Sequence, residues 1–172
     1  MMAAIFSGNH HDYEHEQPLY DVFVCFRGCD TRLNFTGNLL HALRCKRFKI
    51  FMDSNHGLMS GDDIASSVLK ALQGSRISIV VLSKNFANSI WCLDELVEIL
   101  NCKKRKNQQI LPVFYDVDPS EVRYQTGSYG EAIAGLEHRF GKERLQKWKS
   151  ALSEVASISG KHFKNGYVCM IA

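Results

Sequence analysis

Residues 21–52 read DVFVCFRGCDTRLNFTGNLLHALRCKRFKIFM, and this stretch decides the fold. It opens on Asp21–Phe26 (DVFVCF), a short run that is apolar at consecutive positions, and it closes on a second β-rich run, Phe48–Met52 (FKIFM). Between them, over Asn34–Arg44, Phe35, Leu39, Leu40 and Leu43 recur at the spacing of one helix face. Strand, helix, strand at this length is a βαβ unit. Strands without polar alternation are those that helices cover on both sides, as in a parallel sheet.

The same alternation continues outward. Further strands are expected at Arg76–Leu82 (RISIVVL) and Gln109–Tyr115 (QILPVFY). Helices are expected at Asp62–Gln73, with Ile64, Val68, Leu69 and Leu72 on one face, and at Trp91–Cys102, with Leu93, Leu96, Val97 and Leu100 aligned. Two more helical stretches follow, around Tyr129–Phe140 and Glu143–Ser159. The second carries Leu145, Trp148, Leu152, Val155 and Ala156 on its buried face. Residues after Gly160, KHFKNGYVCMIA, read equally as a fifth strand or a frayed end.

The chain has 172 residues, 45% hydrophobic and 23% charged, enough for one domain with a real core and no need of disulfides or a structural metal. A net charge of +3 and a pI near 8.5 favour anionic small molecules but are no nucleic-acid footprint. Met1–Pro18 lacks the basic and apolar regions of a secretory signal, and no stretch approaches the roughly 18 apolar residues of a membrane span. The six cysteines form no CxxC pair and read as reduced thiols. These features place the chain in the cytoplasm, or the nucleus, with no membrane partner. The expected organisation is a disordered, His-rich leader over 1–18, one domain over 19–161 and a tail over 162–172. His11 and His15 have metal-like spacing but fall in the leader, so no metal site is expected.

In open α/β sheets ligands collect beyond the carboxyl ends of the strands, where strand order reverses. The loops leaving the strands are Arg27–Arg32, Asp53–Gly61, Ser83–Asn85 with Ser89–Glu95, and Asp116–Ser120. They supply arginines, a Trp and a Glu in the first turn of a helix. GxGxxG does not follow the first strand, and GxxxxGK[ST] and GxSxG are missing. Hydride transfer on a Rossmann site, P-loop ATP hydrolysis and α/β-hydrolase chemistry are therefore disfavoured. A phosphoacceptor receiver fails as well, because Arg27-Gly28 and Ser83-Lys84 stand where it needs acidic residues.

Four blocks, in order, resemble the plant-type TIR domain: YDVFVCFRGCDTR, the Asp53–Ile64 loop, SKNFANSIWCLDEL and ILPVFYDVDPSEVRYQTGSY. The resemblance runs from about Tyr20 to about Lys161. It implies a flavodoxin-like parallel sheet of four to five strands, order 2-1-3-4-5, with helices on both faces. It also implies an NAD⁺-cleaving activity in immune signalling that depends on self-association. The family's catalytic glutamate corresponds to Glu95. Ser89 and Trp91 match residues lining the nucleotide pocket, as do Phe26, Arg27, Gly28 and Arg32 from the first loop and Asp53 from the second. Cys92 matches a cysteine linked in some relatives to making cyclic nucleotides from nucleic acid. NAD⁺ or NADP⁺ would be the substrate, with no separate cofactor, and other TIR domains the protein partners.

One carboxylate is chemically sufficient. Nicotinamide leaves NAD⁺ as a neutral molecule, so no general acid is required. What remains is to stabilise a ribosyl oxocarbenium ion, which a carboxylate facing the sugar does electrostatically. Arg27 or Arg32 would hold the pyrophosphate and Trp91 would offer an aromatic wall.

Plainer readings stand beside these. Glu95 would suit a helix amino terminus through the dipole alone, Trp91 would suit a core, and Arg27 and Arg32 would suit ion pairs with Asp30. Asp118-Pro119-Ser120 reads as a turn and helix start. The run Lys103–Lys106 fits the exposed carboxyl end of a helix better than a nucleic-acid patch. Cys25 fits the core. The chain also departs from the family. Cys25 replaces the usual Ser, Cys29 an acidic residue, and Leu58-Met59-Ser60-Gly61 lacks the usual basic residue. Gly37-Asn38 replaces the Ser-His pair through which relatives pack one domain on another. Glycine there is expected to cost its helix about 1 kcal/mol relative to alanine. The rival function is a non-catalytic TIR adaptor acting by homotypic contact.

Overall fold

The computed structural model describes residues 18–53 and 66–164. The leader, most of the Asp53–Ile64 loop and the end of the tail lie outside the described residues, as do His11 and His15. Five parallel strands form one sheet in the order β2-β1-β3-β4-β5. They are β1 (Tyr20–Phe26), β2 (Ile50–Met52), β3 (Ser75–Ser83), β4 (Gln109–Tyr115) and β5 (Lys161–Phe163). The last resolves the open reading of the tail: Lys161 pairs with Val113 and Phe163 with Tyr115, so the sheet runs past the expected boundary at 161. β5 comes this close because Gly160 has no side chain; a Cβ there would meet the Pro112 carbonyl at 2.6 Å.

The helices are α1 (Gly28–Thr31), α2 (Phe35–Cys45), α3 (Ser66–Gln73), α4 (Ile90–Lys106), α5 (Pro119–Tyr124), α6 (Gly127–Glu137) and α7 (Lys142–Val155). α1 is a short helix where a loop was expected. Asp118 does start α5, its side chain accepting from the Ser120 amide at 2.8 Å. α4 stops at Asn107, which takes the left-handed conformation (φ 55°), and Lys104, Arg105 and Lys106 end it in solvent as expected.

Successive positions along a strand face opposite ways, so the apolar runs feed two cores. Val22, Val24, Phe26, Ile79, Val81 and Val113 pack with Phe35 and Leu40 of α2 on one face. Phe23, Cys25, Val80, Leu82 and Phe114 pack on the other, against α3, α4, α6 and α7. Trp148 of α7 is fully buried, and its indole N–H donates to Asp94 of α4 at 2.8 Å. The same carboxylate takes an Arg144 ion pair at 2.7 Å, which fixes α4 against α7.

Candidate functional site

From β1 the chain passes to β2 on one side, and β3 then pairs on the other side of β1. That reversal opens the sheet between the carboxyl ends of β1 and β3. The expected site residues fall there in two groups.

The first group is acidic. α4 begins at Ser89, whose Oγ accepts from the Cys92 amide at 3.3 Å, so Ser89 serves as the helix cap. The cap aims the first two turns of α4 at the end of β1, where the Cys92 thiol lies 3.6 Å from the Phe26 carbonyl. Half-buried Trp91 then donates its indole N–H to Glu95 Oε1 at 2.8 Å. Glu95 is in the second turn of the helix rather than the first, as α4 starts at Ile90 and has no acidic residue in its opening turn. It is also not open to a cleft: the residue is 1% exposed. Its second oxygen, Oε2, is buried without a hydrogen-bond partner. Burial drives its pKa up to about 8; the Cys25 thiol beside it pulls it back, the charge of Asp53 adds to the rise, and the Trp91 indole opposes it. Asp53, at the end of β2, is itself 6% exposed. Cys25 is a core residue as expected, yet its thiol belongs to this cluster, and burial foremost pushes its own pKa up.

The second group is a polar bracket on the other side of the β1 terminus. Arg27 pairs with Asp30 at 2.7 Å. The same Asp30 carboxylate accepts from Ser83 Oγ at 2.6 Å and from the Asn85 amide at 3.2 Å, tying the loop after β1 to the loop after β3. Burial pushes the Asp30 pKa up, but the bonds from Ser83 and Arg27 outweigh it and hold the carboxyl below its usual range. Tyr129, fully buried on α6, donates to the Ser83 carbonyl at 2.8 Å behind it. Arg32 lies across the opening of the first loop, its guanidinium 5.5 Å from the centre of the buried Phe26 ring. Gly28 packs against it, where a Cβ would sit 3.2 Å from the Arg32 guanidinium.

The expected residues therefore gather at one end of the sheet, but with distinct jobs. Trp91, Glu95 and Asp53 form the acidic centre, Arg27, Gly28 and Arg32 the basic rim, and Phe26 is a core ring beneath Arg32. The Ser83–Asp30 clamp was not foreseen; the three-residue spacing of Arg27 and Asp30 was the one signal for it. Among the described residues no helix is long and apolar enough to cross a membrane.

Comparison with known proteins agrees with this architecture. The TIR domain family matches residues 19–169. Disease resistance protein RPV1 of Vitis rotundifolia is 49% identical over 143 residues, covering 83% of this chain and 10% of that protein. TMV resistance protein N of Nicotiana glutinosa is 45% identical, covering 82% of this chain and 12% of its own length. The chain thus spans about a tenth of the curated plant resistance proteins it matches. Among solved structures, the TIR domains of the activated Roq1 resistosome, which directly recognizes the pathogen effector XopQ, superpose with a TM-score of 0.76 at 45% identity, covering 86% of this chain and 90% of that one. A sheet ordered 2-1-3-4-5, the acidic and basic groups at its switch point and the family match over 19–169 together establish that this chain belongs to the TIR domain family.

Proposed function

We propose that the domain is an NAD⁺ glycohydrolase that signals in plant immunity on self-association, acting in the cytoplasm or nucleus. The observation that carries this reading is Glu95: a carboxyl group at the switch point with one oxygen held by Trp91 and the other unpartnered. In the reaction water adds to C1′ of the nicotinamide ribose, the C1′–N bond breaks, and nicotinamide, an ADP-ribose product and a proton are released. Glu95 is covered, so the unpartnered Oε2 meets a ribose hydroxyl only once that cover opens, and the ionised group then suits the developing cation. A pKa near 8 keeps Glu95 largely protonated at pH 7 before substrate binds. The positive charge of a bound nicotinamide ring favours ionisation, so the substrate charges its own catalyst. Arg27 and Arg32 supply positive charge for the pyrophosphate. NADP⁺ fits the same chemistry, and no separate cofactor is called for.

The burial of Glu95 favours a second reading, a non-catalytic module that works by contact with like domains. The two separate cleanly in one experiment. NAD⁺ is incubated with rising concentrations of the chain and nicotinamide is quantified. The enzymatic reading expects release that steepens with concentration and vanishes in a folded Glu95→Gln variant. No release at any concentration, or full release by Glu95→Gln, leaves the docking module.

A further inference from the structure

We propose that the amino-terminal end of the sheet, the end away from the candidate site, docks on an anionic phospholipid bilayer. All the strands are parallel, so the segments that lead into them meet at one end. Three of those segments, 44–49, 70–76 and 103–106, hold ten of the chain's 21 lysines and arginines and no aspartate or glutamate. The other 11 basic residues face 18 acidic ones, so the net charge of +3 is due to this end alone. Apart from half-buried Lys103, all ten are exposed. Asp21, which accepts from the Lys49 amide at 2.8 Å, and Glu154, which pairs with Lys104 at 2.8 Å, offset them only in part. Helix dipoles account for the basic residues in the last turns of α2, α3 and α4, but not for Lys49, before β2, or Arg76, in β3. Nor does turn chemistry account for Arg47, whose left-handed backbone (φ 63°) favours glycine or asparagine.

Charge alone would suit any polyanion; the apolar groups among the charges select a bilayer. Leu19, 53% exposed, and Phe48, 43% exposed, stand at this end where β1 and β2 begin. The Tyr20 amide donates to the Gly74 carbonyl and the Asp21 amide to the Lys49 carbonyl, which ties the entries of β1, β2 and β3 together. Phe48 also lines a recess of about 610 Å³ with Leu43, Ile77 and Leu111, and Arg76 and Lys106 line the same recess. Aliphatic walls beside basic side chains suit an acyl chain under an acidic head group. They offer nothing to the phosphates or stacked bases of a nucleic acid. Basic residues around exposed apolar ones bind an anionic lipid surface without spanning it. The sequence expectation of no membrane partner came from the lack of a span, which this contact does not need. Glu95 and Arg27 lie at the opposite ends of the strands, so the inference is independent of NAD⁺ cleavage.

Vesicles are the probe. The full chain is sedimented with vesicles of phosphatidylcholine, with and without phosphatidylserine. Capture is expected only where phosphatidylserine is present, and it should fall as salt rises. A basic residue near an anionic surface is worth about fivefold in binding, so Arg47→Gln combined with Arg76→Gln should weaken capture roughly 25-fold. Phe48→Ser should weaken it as well, whereas Leu33→Ser, at a fully exposed apolar residue beyond the other end of β1, should not. All of these side chains are exposed, and the variants should keep the parent's urea midpoint. Equal capture by neutral vesicles, or undiminished capture of Phe48→Ser, overturns the proposal. So does a chain that ignores both kinds of vesicle, whether or not it binds a DNA or RNA duplex instead.

Discussion

Trp91 Nε1 sits 2.8 Å from Glu95 Oε1, one turn away on α4, while Oε2 of the same carboxyl has no partner. A half-satisfied acid in the interior is easiest to hold neutral, and it costs most to ionise. That single relationship sets the pH behaviour of the domain.

The first consequence concerns stability. Glu95 titrates near 8 in the folded protein against a usual 4.5. The folded state therefore binds the proton more tightly. The stabilisation is complete below about pH 4.5 and is lost as pH rises toward about 8, at up to about 1.4 kcal/mol per pH unit. Urea denaturation across this window should show the decline, superimposed on any other titrations. Glu95→Gln should flatten it and make the variant more stable than the parent at pH 8.

A related change acts on the proposed reaction. The Cys25 thiol beside Glu95 lowers its pKa, and a hydroxyl in its place is a stronger donor. Cys25→Ser should lower the Glu95 pKa and move the rising limb of the NAD⁺ turnover profile toward acid. A pH–rate curve for the two proteins, compared at saturating NAD⁺, checks the direction; an unchanged midpoint excludes control by this residue.

Gly37 behaves oppositely to a generic helix glycine. A Cβ at this position would lie 2.5 Å from the Arg32 carbonyl, a backbone atom that cannot swing aside. Gly37→Ala, which helix propensity alone favours by about 1 kcal/mol, should instead destabilise the domain by roughly 1–3 kcal/mol. The midpoint of urea unfolding reads the sign directly.

Asp94 tests packing apart from chemistry. Its carboxylate accepts from both Trp148 and Arg144 at 2.8 and 2.7 Å. Asp94→Ala leaves a fully buried indole N–H without its acceptor and should cost about 2–3 kcal/mol. Thermal unfolding should register that loss, while nicotinamide release per folded molecule stays near the parent value.

Much of this was legible in the chain. The unbroken apolar character of Val22–Phe26 and Ile110–Tyr115 announced a two-faced parallel sheet, and the spacing of Leu93, Leu96 and Leu100 announced the helix between strands. Four motif blocks named the family. The short ends were less visible: three residues of β5 carry too little pattern, and their pairing depends on Gly160 admitting them against Pro112.

By itself, then, the sequence determined the strand order's class, the family and the residues that would meet at the end of the sheet, because periodicity and motif are local properties of a chain. Only the tertiary structure decided what those residues do once together. It put Glu95 under cover beside Asp53, turned Asp30 into a clamp on Ser83, and placed the Arg32 carbonyl over Gly37. Burial, charge proximity and steric approach are set by neighbours distant in sequence, and a carboxylate's protonation follows from them.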